Sequence, residues 1–312
     1  MSAKLVTLTL NPAVDISTSV ERIEAEVKMR CGEAHRDPGG GGINVARVLS
    51  RTGADVTALY PAGGVTGRIL QELVARDGIE DIVIPLAGET RESFTAFERL
   101  TGNEFRFVLA GPELDKTAWT ATRNALETMN GVLFVVASGS LPPGAPEEAY
   151  AEIADITRKL GARLAVDTSG AALAAALRER PYLIKPNLRE LRELTGLPIQ
   201  TDKETLDAAR RLVGEKRADA VAVTLGADGA MLVCEEGSWR GRAPEITPVS
   251  SVGAGDSFLA MLIHALASGQ SMSEALRAGM AGGTAALLSP GTELCRMEDV
   301  ERLLPQISIE EI

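Results

Sequence analysis

The sequence predicts a three-layer α/β/α protein in which a mostly parallel central sheet lies between two layers of helices. Strand-like and helix-like segments alternate along most of the chain, which is the order of βα units. Two predicted strands, GVLFVVA at 131–137 and DAVAVT at 219–224, are almost entirely apolar, as expected of strands covered on both faces. Glycine-rich segments follow several strands, and in a parallel sheet such loops meet at the carboxyl edge, where ligands bind.

Hydrophobic periodicity defines the elements in chain order. Val6, Leu8 and Leu10 alternate with polar residues, which is the period of a strand. The strongest helical pattern begins at Gly255, where Phe258, Leu262 and Leu266 share one apolar face with their neighbours. The other expected strands lie near 55–60, 131–137, 163–166, 181–184 and 219–224, and the other helices near 42–53, 66–77, 116–129, 146–160, 188–195, 202–214 and 273–288.

Some segments of the chain do not follow this alternation of strands and helices. Residues 93–99 and 104–108 alternate in polarity around Thr-Gly-Asn, which indicates a hairpin, and the segment 14–35 is also extended and mixed in polarity. No linker or repeat separates these segments from the rest of the chain. We therefore expect one domain over 1–312, with a small β-sheet lid contributed by about 14–35 and 90–110.

The charge balance and the cysteine content narrow the functional classes. The chain has 312 residues with 32 Lys and Arg against 43 Asp and Glu, a net charge of −11. Nucleic-acid and anionic-membrane surfaces need clustered basic residues, so this balance argues against both partners. Three scattered cysteines form no CxxC pair and suit a reducing compartment. The N-terminal segment is too weakly apolar for a signal peptide, and we expect a cytoplasmic protein.

Several common site motifs do not occur in the sequence. The dipeptide Gly-Lys is absent, which excludes a Walker A loop, and no GxSxG nucleophile motif is present. GxGxxG is also missing, which argues against a nicotinamide-dependent oxidoreductase. The two histidines, His35 and His264, are expected to be ordinary packing or surface residues.

The glycine run in PGGGGINVAR, residues 38–47, is the first candidate site. Four consecutive glycines carry a large entropic cost, which indicates a close approach to the backbone or a positive φ angle. The run opens onto a predicted helix N-terminus, where unpaired N–H groups attract an anion or polar hydroxyls. A tight turn would need fewer glycines, so we interpret the run as part of a ligand site.

SSVGAGDSFLA, residues 250–260, is the second candidate. Gly253, Ala254 and Gly255 offer successive N–H groups at the start of the apolar helix, an arrangement that binds anions. Asp256 follows in the first turn, where a carboxylate also stabilises the helix dipole by itself. An anion site beside a carboxylate is what phosphoryl transfer requires, with Asp256 accepting a hydroxyl proton. We expect the dipole to keep Asp256 ionised and only weakly basic.

Three further loops leave predicted strands but are ambiguous alone. IKPNLRELREL, residues 184–194, places Lys185 and Asn187 at a strand end and Glu190 at a helix start, where Glu190 is either a helix charge or a water-mediated Mg²⁺ ligand. VTLGADGA, residues 223–230, is either a hairpin turn or a nucleotide contact. SGSLPPG, residues 138–144, places Ser138 and Ser140 near the same edge.

Taken together, these motifs resemble the PfkB (ribokinase-like) carbohydrate kinase family. The resemblance covers nearly the whole chain, from LTLNPAVD to SPGT, and includes PAGGVTG, VDTSG, KPNLRE and SVGAGDS. Within the family, the pattern is most similar to the bacterial minor-type 6-phosphofructokinases. Fructose-1-phosphate and tagatose-6-phosphate kinases share the layout but commonly carry a lysine where this chain has Gly41.

The resemblance implies a ribokinase-like fold and a set of site residues. Asp256 would be the catalytic base, with Gly253, Ala254 and Gly255 as the anion hole. The implied sugar-phosphate contacts are Asp15, Lys28, Arg30, Gly40, Gly41, Asn44, Arg91 and Ser140, and the implied ATP contacts are Lys185, Asn187, Thr224, Gly226, Gly229 and Thr284. Glu190 would lie near Mg²⁺, and a K⁺ site would use Ser250, Val252, Ala286, Ser289 and Gly291. The lid would pair with the lid of a second subunit in a homodimer, across which some of the basic residues would reach.

The sequence and the resemblance together predict an ATP-dependent, Mg²⁺-requiring kinase that phosphorylates the 1-hydroxyl of fructose 6-phosphate. One alternative is 1-phosphofructokinase or tagatose-6-phosphate kinase of the same family. An alternative of another class is a non-catalytic sugar-phosphate binding protein, against which Asp256 and Glu190 argue because a binder needs no base.

Overall fold

The computed structural model describes residues 4–312, so the first residues of the segment considered for a signal peptide lie outside it. The strands, in chain order β1 to β14, are Lys4–Leu8, Ala13–Val20, His35–Gly39, Val56–Ala62, Glu80–Pro85, Arg91–Glu98, Glu104–Val108, Val132–Ser138, Arg163–Asp167, Leu183–Ile184, Ala220–Thr224, Ala230–Cys234, Gly237–Arg242 and Ser308–Glu311. The helices, α1 to α10, are Gly41–Arg51, Gly64–Arg76, Lys116–Glu127, Ala149–Lys159, Gly170–Ala176, Leu188–Thr195, Asp202–Gly214, Ala254–Ala267, Met272–Ala286 and Met297–Leu303.

The larger of the two sheets has ten strands in the order β14-β13-β12-β11-β10-β9-β8-β1-β4-β5. The seven strands from β5 to β11 in this order are parallel, and the last three are antiparallel. The α/β fold with a mostly parallel sheet, expected from the sequence, is confirmed.

Alternate strand residues pack into separate helical layers. Phe134 and Val136 contact a core with α1, α2, α8 and α9, whereas Val135 and Ala137 contact a core with α3, α4, α5 and α7. All four strand residues are fully buried. Because each strand is covered on both faces, its sequence is apolar throughout, which is why β8 and β11 were recognisable.

The smaller sheet has four strands in the order β3-β2-β6-β7, and β2 runs parallel to β6. Its strands differ from the predicted segments, because residues 21–34 form no strand and β3 begins only at His35. Charged loop residues fill this interval, and no partner strand lies beside them within the described chain.

Five elements have no counterpart among the expected ones: β5, β13, β14, α5 and α10. Strand β5 and strand β14 lie at the two edges of the large sheet, where one side of each strand has no neighbour and polar residues are tolerated. Helix α5 has only seven residues, too few for a clear helical period. Among residues 4–312, none of the helices combines the length and apolar character that a bilayer span needs.

Candidate active site

A cavity of about 350 Å³ lies between the small sheet and the carboxyl edge of the large sheet. This volume is within the range of small-molecule sites. The small sheet contributes Asp15, Arg91 and Arg106, and the large sheet and its loops contribute the remaining charged groups. The described residues that line the cavity are Ala13, Asp15, Gly40, Gly41, Asn44, Arg91, Ser93, Arg106, Val108, Ser138, Gly139, Ser140, Asp167, Thr168, Ser169, Glu190, Val252, Gly253 and Asp256.

The glycine run closes one wall of this cavity, and backbone crowding explains its composition. Gly40 has φ 112°, and a side chain at Gly41 would collide with Ser138. A side chain at Gly42 would meet the backbone carbonyl of Leu8 at 2.6 Å. Helix α1 therefore begins tightly against β1 and β8, and its first turn presents Asn44 to the cavity.

Helix α8 presents its N-terminus to the cavity. Gly253 caps the helix with φ 72°, and the first helical hydrogen bond runs from the Ser257 N–H to the Gly253 carbonyl. The N–H groups of Ala254, Gly255 and Asp256 therefore have no acceptor within the helix. These N–H groups and the positive end of the helix dipole have the arrangement that the sequence predicts for an anion site, and we call this position the anion site below.

The carboxylate of Asp256 lies at this N-terminus and accepts a hydrogen bond from Asn44 Nδ2 at 2.9 Å. Burial raises the pKa of the Asp256 carboxyl to about 6, and the charge of Asp167 adds to the rise, while the hydrogen bond from Asn44 and the charge of Lys185 oppose it. The expectation of a weakly basic Asp256 is therefore wrong. Desolvation outweighs the helix dipole, and the group is a better proton acceptor than the sequence indicated.

A second carboxylate, Asp15 on β2, faces the same cavity. Burial raises the pKa of Asp15 to about 6, while the charges of Arg106 and Arg91 on the neighbouring strands lower it. Arg91 donates to the carbonyls of Asn11 and Leu109, so its guanidinium is held at the cavity wall. Asn11 also donates to Ser140 Oγ at 3.1 Å, which fixes the loop after β8.

Lys185 and Asp167 form a buried ion pair behind the anion site, with Nζ and Oδ1 3.1 Å apart. Burial alone would lower the pKa of Lys185, but Asp167, Asp256 and Glu190 together raise it. Lys185 also approaches Gly255, where an added Cβ would lie 3.3 Å from Nζ. The lysine is therefore charged and lies beside the N-terminus of α8.

The groups expected to contact ATP continue along the same sheet edge. Asn187 and Thr224 form a parallel bridge, and Gly226 and Gly229 lie in the turn that follows β11. Asn187 and Glu190 form a reciprocal capping box of α6, with both hydrogen bonds at 2.9 Å. Glu190 therefore stabilises its own helix and also lines the cavity.

Three of the expected contacts are neither among the residues that line the cavity nor in the loops along this sheet edge. Lys28 and Arg30 are exposed in the segment between β2 and β3, and Thr284 is buried within α9. The segments expected to hold a monovalent cation do lie side by side, because Ser250 Oγ is 3.2 Å from the carbonyl oxygen of Gly291. Ser289 Oγ is buried there and makes no hydrogen bond. A buried hydroxyl oxygen without a hydrogen-bond partner is a group that a monovalent cation could use as a ligand.

Two of the charged residues that line the cavity, Arg106 and Asp167, were not among the predicted site residues. Arg106 lies on β7 between Phe105 and Phe107. Because successive side chains of a strand point to opposite faces, this alternation was a signal that Arg106 lies on the face opposite to the two phenylalanines. Asp167 ends the apolar strand β9, and a charge directly after a buried strand was the available signal. No group of three His, Cys, Asp or Glu side chains within residues 4–312 is arranged to hold a metal.

Comparison with known proteins identifies the class. Residues 7–299 match the family model for pfkB family carbohydrate kinases. The chain belongs to this family, and its α/β fold is the ribokinase-like fold.

Individual relatives agree with this class. The chain is 45% identical over 303 residues to ATP-dependent 6-phosphofructokinase isozyme 2 of Mycobacterium tuberculosis, covering 96% of this chain and 88% of that protein. It is 32% identical to 1-phosphofructokinase of Borreliella burgdorferi, covering 99% of both. The crystal structure of phosphofructokinase-2 from Escherichia coli in complex with potassium superposes with a TM-score of 0.93 at 35% identity, covering 97% of this chain and 98% of that one.

Proposed function

We propose that this protein is an ATP-dependent kinase that transfers the γ-phosphoryl group to the 1-hydroxyl of fructose 6-phosphate, the glycolytic step that gives fructose 1,6-bisphosphate. The observation that carries the proposal is the position of Asp256. Its basic, buried carboxylate lies beside three N–H groups without helical acceptors, at the wall of a cavity large enough for a sugar phosphate. A carboxylate next to an anion site is the arrangement that phosphoryl transfer needs.

The charges of the cavity give the sugar phosphate one orientation. Arg91 and Arg106 lie at the small-sheet end, and Asp256 lies at the large-sheet end. The existing phosphate of the substrate binds the two arginines, because paired guanidinium groups favour a dianion. The hydroxyl groups then face Asp15 and Asn44, and the free primary hydroxyl reaches Asp256.

In the reaction, the sugar oxygen bonds to the γ-phosphorus while the bond from that phosphorus to the bridging oxygen of ADP breaks. Asp256 accepts the hydroxyl proton, and the N–H groups of Ala254 and Gly255 stabilise the charge of the moving phosphoryl group. The charged Lys185 beside them adds to this stabilisation. ATP would extend from here toward Asn187, Thr224 and the turn at Gly226.

Magnesium would bind with the ATP phosphates and would neutralise their charge. Mg²⁺ uses few protein carboxylates and keeps several waters, which suits Glu190. One of its oxygens caps α6, and the other lies 3.8 Å from Nη2 of the exposed Arg189, too far for a hydrogen bond that would exclude a water. Potassium would bind between the segments of Ser250 and Ser289. We expect K⁺ to raise both the activity and the Tm more than Na⁺ at equal ionic strength.

We also propose that the small sheet closes over the sugar and pairs with that of a second subunit. Ile16, Phe94 and Phe107 lie in one row on the face opposite the cavity, and Phe107 is 54% exposed. Other exposed large apolar residues, in the loops that flank the small sheet, are Val27, Met29, Leu100 and Leu109. A second copy would cover this surface and bring Lys28 and Arg30 toward the partner's cavity. Phe107→Asp should shift the protein to monomers in sedimentation experiments.

The decisive measurement is ADP release with fructose 6-phosphate, fructose 1-phosphate and tagatose 6-phosphate, each with wild type and Asp256→Asn. We expect the largest kcat/KM for fructose 6-phosphate and a loss of at least ~10²-fold in kcat for the variant. A larger kcat/KM for fructose 1-phosphate would instead identify a 1-phosphofructokinase. Binding of a sugar phosphate without ADP release would identify a non-catalytic binding protein.

A further inference from the structure

Arg47 on α1 is a buried charged residue that has no role in the reaction proposed above. Its side chain is only 4% exposed. Nε donates to Asp77 Oδ2 at 2.7 Å, and Nη2 donates to Asp37 Oδ1 at 3.2 Å. A buried guanidinium is costly unless it is paired and fully hydrogen-bonded, so two carboxylates around one arginine indicate a site built to hold it.

The partners of Arg47 belong to different parts of the molecule. Asp77 ends α2, and Asp37 lies on β3 of the small sheet. Nη1 donates to the carbonyl of Thr292 at 3.2 Å, and the Thr292 hydroxyl donates in turn to Asp37 Oδ2. Both oxygens of Asp37 are thereby bonded, and the guanidinium has little freedom to move.

The same Nη1 approaches Asn44 Oδ1 at 3.5 Å, one helical turn earlier on α1. A guanidinium donates hydrogen bonds and never accepts them, so the amide oxygen of Asn44 must face Arg47. The amide nitrogen then points the other way and donates to Asp256 Oδ2 at 2.9 Å. Arg47 and Asp256 therefore lie on opposite sides of one amide group.

The carboxylate of Asp256 can orient Asn44 by itself only while it is ionised. Once Asp256 has accepted a proton, its O–H can donate to an amide oxygen, so a flipped Asn44 would be an equally good partner. A flipped amide would stabilise the protonated acid and retain the proton. Arg47 opposes the flip in both states, because a flipped amide would turn its own NH₂ group toward Nη1, a donor that cannot accept a hydrogen bond.

We propose that Arg47 is a positioning residue that keeps Asn44 as a hydrogen-bond donor to Asp256 and so keeps Asp256 in its proton-accepting form. The inference rests on the proposed role of Asp256 as the base. The charged groups that face Asp256 from the packed elements are Asp15 on β2, Asp167 at the end of β9 and Lys185 after β10. Arg47→Lys keeps these groups and also the positive charge that acts on Asp15, so a change in the titration of Asp256 in that variant would report on Asn44.

The test is the pH dependence of kcat in Arg47→Lys and Arg47→Met. Asp256 must be ionised to accept a proton, so kcat falls as the pH drops through its pKa. The single ammonium group of lysine would stay with Asp37 and Asp77, and methionine donates no hydrogen bond, so neither variant holds the Asn44 amide oxygen. The donation from Asn44 is then lost for part of the time, and the acidic limb of kcat should move upward by about one pH unit, a tenfold change in proton affinity. The KM for the sugar phosphate should change less than kcat.

Two controls separate positioning from a general loss of structure. Asp77→Asn removes a partner of Arg47 at α2, away from Asn44, and should lower the Tm without moving the acidic limb. In an Asn44→Ala background, Arg47→Lys should no longer shift the limb, because the amide through which it acts is absent. An equal shift in that background would overturn the inference.

If the variants are inactive, the protonation of Asp256 can still be measured without turnover. The carboxyl carbon of Asp256, followed by ¹³C NMR against pH, should titrate at higher pH in folded Arg47→Lys than in wild type. An unchanged titration would overturn the inference while leaving the kinase activity of the wild type intact. If the wild type phosphorylates no sugar phosphate, the proposed function fails instead.

Discussion

In the large sheet, Val135 and Val136 pack into opposite helical layers, and both are fully buried. In the small sheet, the same alternation places Arg106 toward the cavity and Phe107 toward the outside, where Phe107 is 54% exposed. Both faces of the large sheet are covered by helices. The small sheet has one face toward the cavity and one apolar face that is partly exposed. Regions with fewer buried contacts open more easily.

This contrast divides the chemistry of the site. Asp167, Lys185 and Asp256 come from ends of elements in the large layered body, where packing holds them in place. The two arginines that would bind the phosphate of the sugar come from the small sheet. In the proposed reaction, the reacting groups would thus stay fixed, while the groups that would recognise the substrate lie on the small sheet, which we propose to close over the sugar.

The largest difference between the two sheets should appear in stability. Phe134→Ala on β8 removes a fully buried ring and should cost about 3–5 kcal/mol of unfolding free energy. Phe107→Ala on β7 removes a half-exposed ring and should cost less than about 1 kcal/mol in the monomer. Urea unfolding at dilute protein concentration measures both. Equal losses would mean that the small sheet is as firmly packed as the large one.

A smaller effect should separate two arginines of the small-sheet region. Arg106→Met removes a cation from the cavity and should lower kcat/KM for the sugar phosphate about 10- to 100-fold, the value of a charge-assisted hydrogen bond. Arg99→Met is the matched control, because Arg99 is half exposed and pairs with Glu21 outside the cavity. Steady-state kinetics with varied sugar phosphate should show little change in this control.

The buried carboxylate of Asp256 should lower the free energy of unfolding at pH values above its pKa, where it is ionised. The pKa of Asp256 is about 6 in the folded protein and lower in the unfolded chain, so the folded state binds the proton more tightly. Stability from this group is present at low pH and is lost as the pH rises through about 4 to 6. Asp256→Asn should therefore be more stable than wild type at pH 8, by about 1–3 kcal/mol.

Thermal and urea unfolding at pH 8 and pH 4 measure this difference, which should nearly vanish at pH 4. Asp228→Asn, in the exposed turn after β11, is the control and should show no pH-dependent gain. A destabilised Asp256→Asn at pH 8 would show that burial does not dominate at this carboxylate.

The smallest predicted effect concerns the contact between the two regions. Glu104 on β7 accepts a hydrogen bond from Ser250 Oγ at 3.0 Å, in the loop that leads to the anion site. Glu104→Ala should lower kcat about 3- to 10-fold and raise the ratio of ATP hydrolysis to sugar phosphorylation, because a looser closure admits water. Glu104→Gln retains an acceptor oxygen and should stay close to wild type in a coupled assay of both products.

The alternating strands and helices were enough to predict the α/β class. A strand that is buried on both faces is apolar along its whole length, and this pattern can be read locally, without knowledge of distant contacts. The same local logic located the glycine run and the start of α8, where backbone conformation restricts the choice of residue. The edge strands β5 and β14 lack this apolar pattern, because within residues 4–312 each of them pairs with a strand on one side only. Arg106 and Asp167 were missed because their importance depends on what lies across the cavity.

The basicity of Asp256 was decided by tertiary structure alone. Its place in the first turn of a helix suggested a weakly basic carboxylate, but burial beside Asp167 raises the pKa of that group. The link from Arg47 through Asn44 to Asp256 likewise exists only once α1 and α8 are packed together. Local sequence specifies backbone conformation and burial pattern, whereas desolvation and charge coupling depend on residues that are distant in the chain.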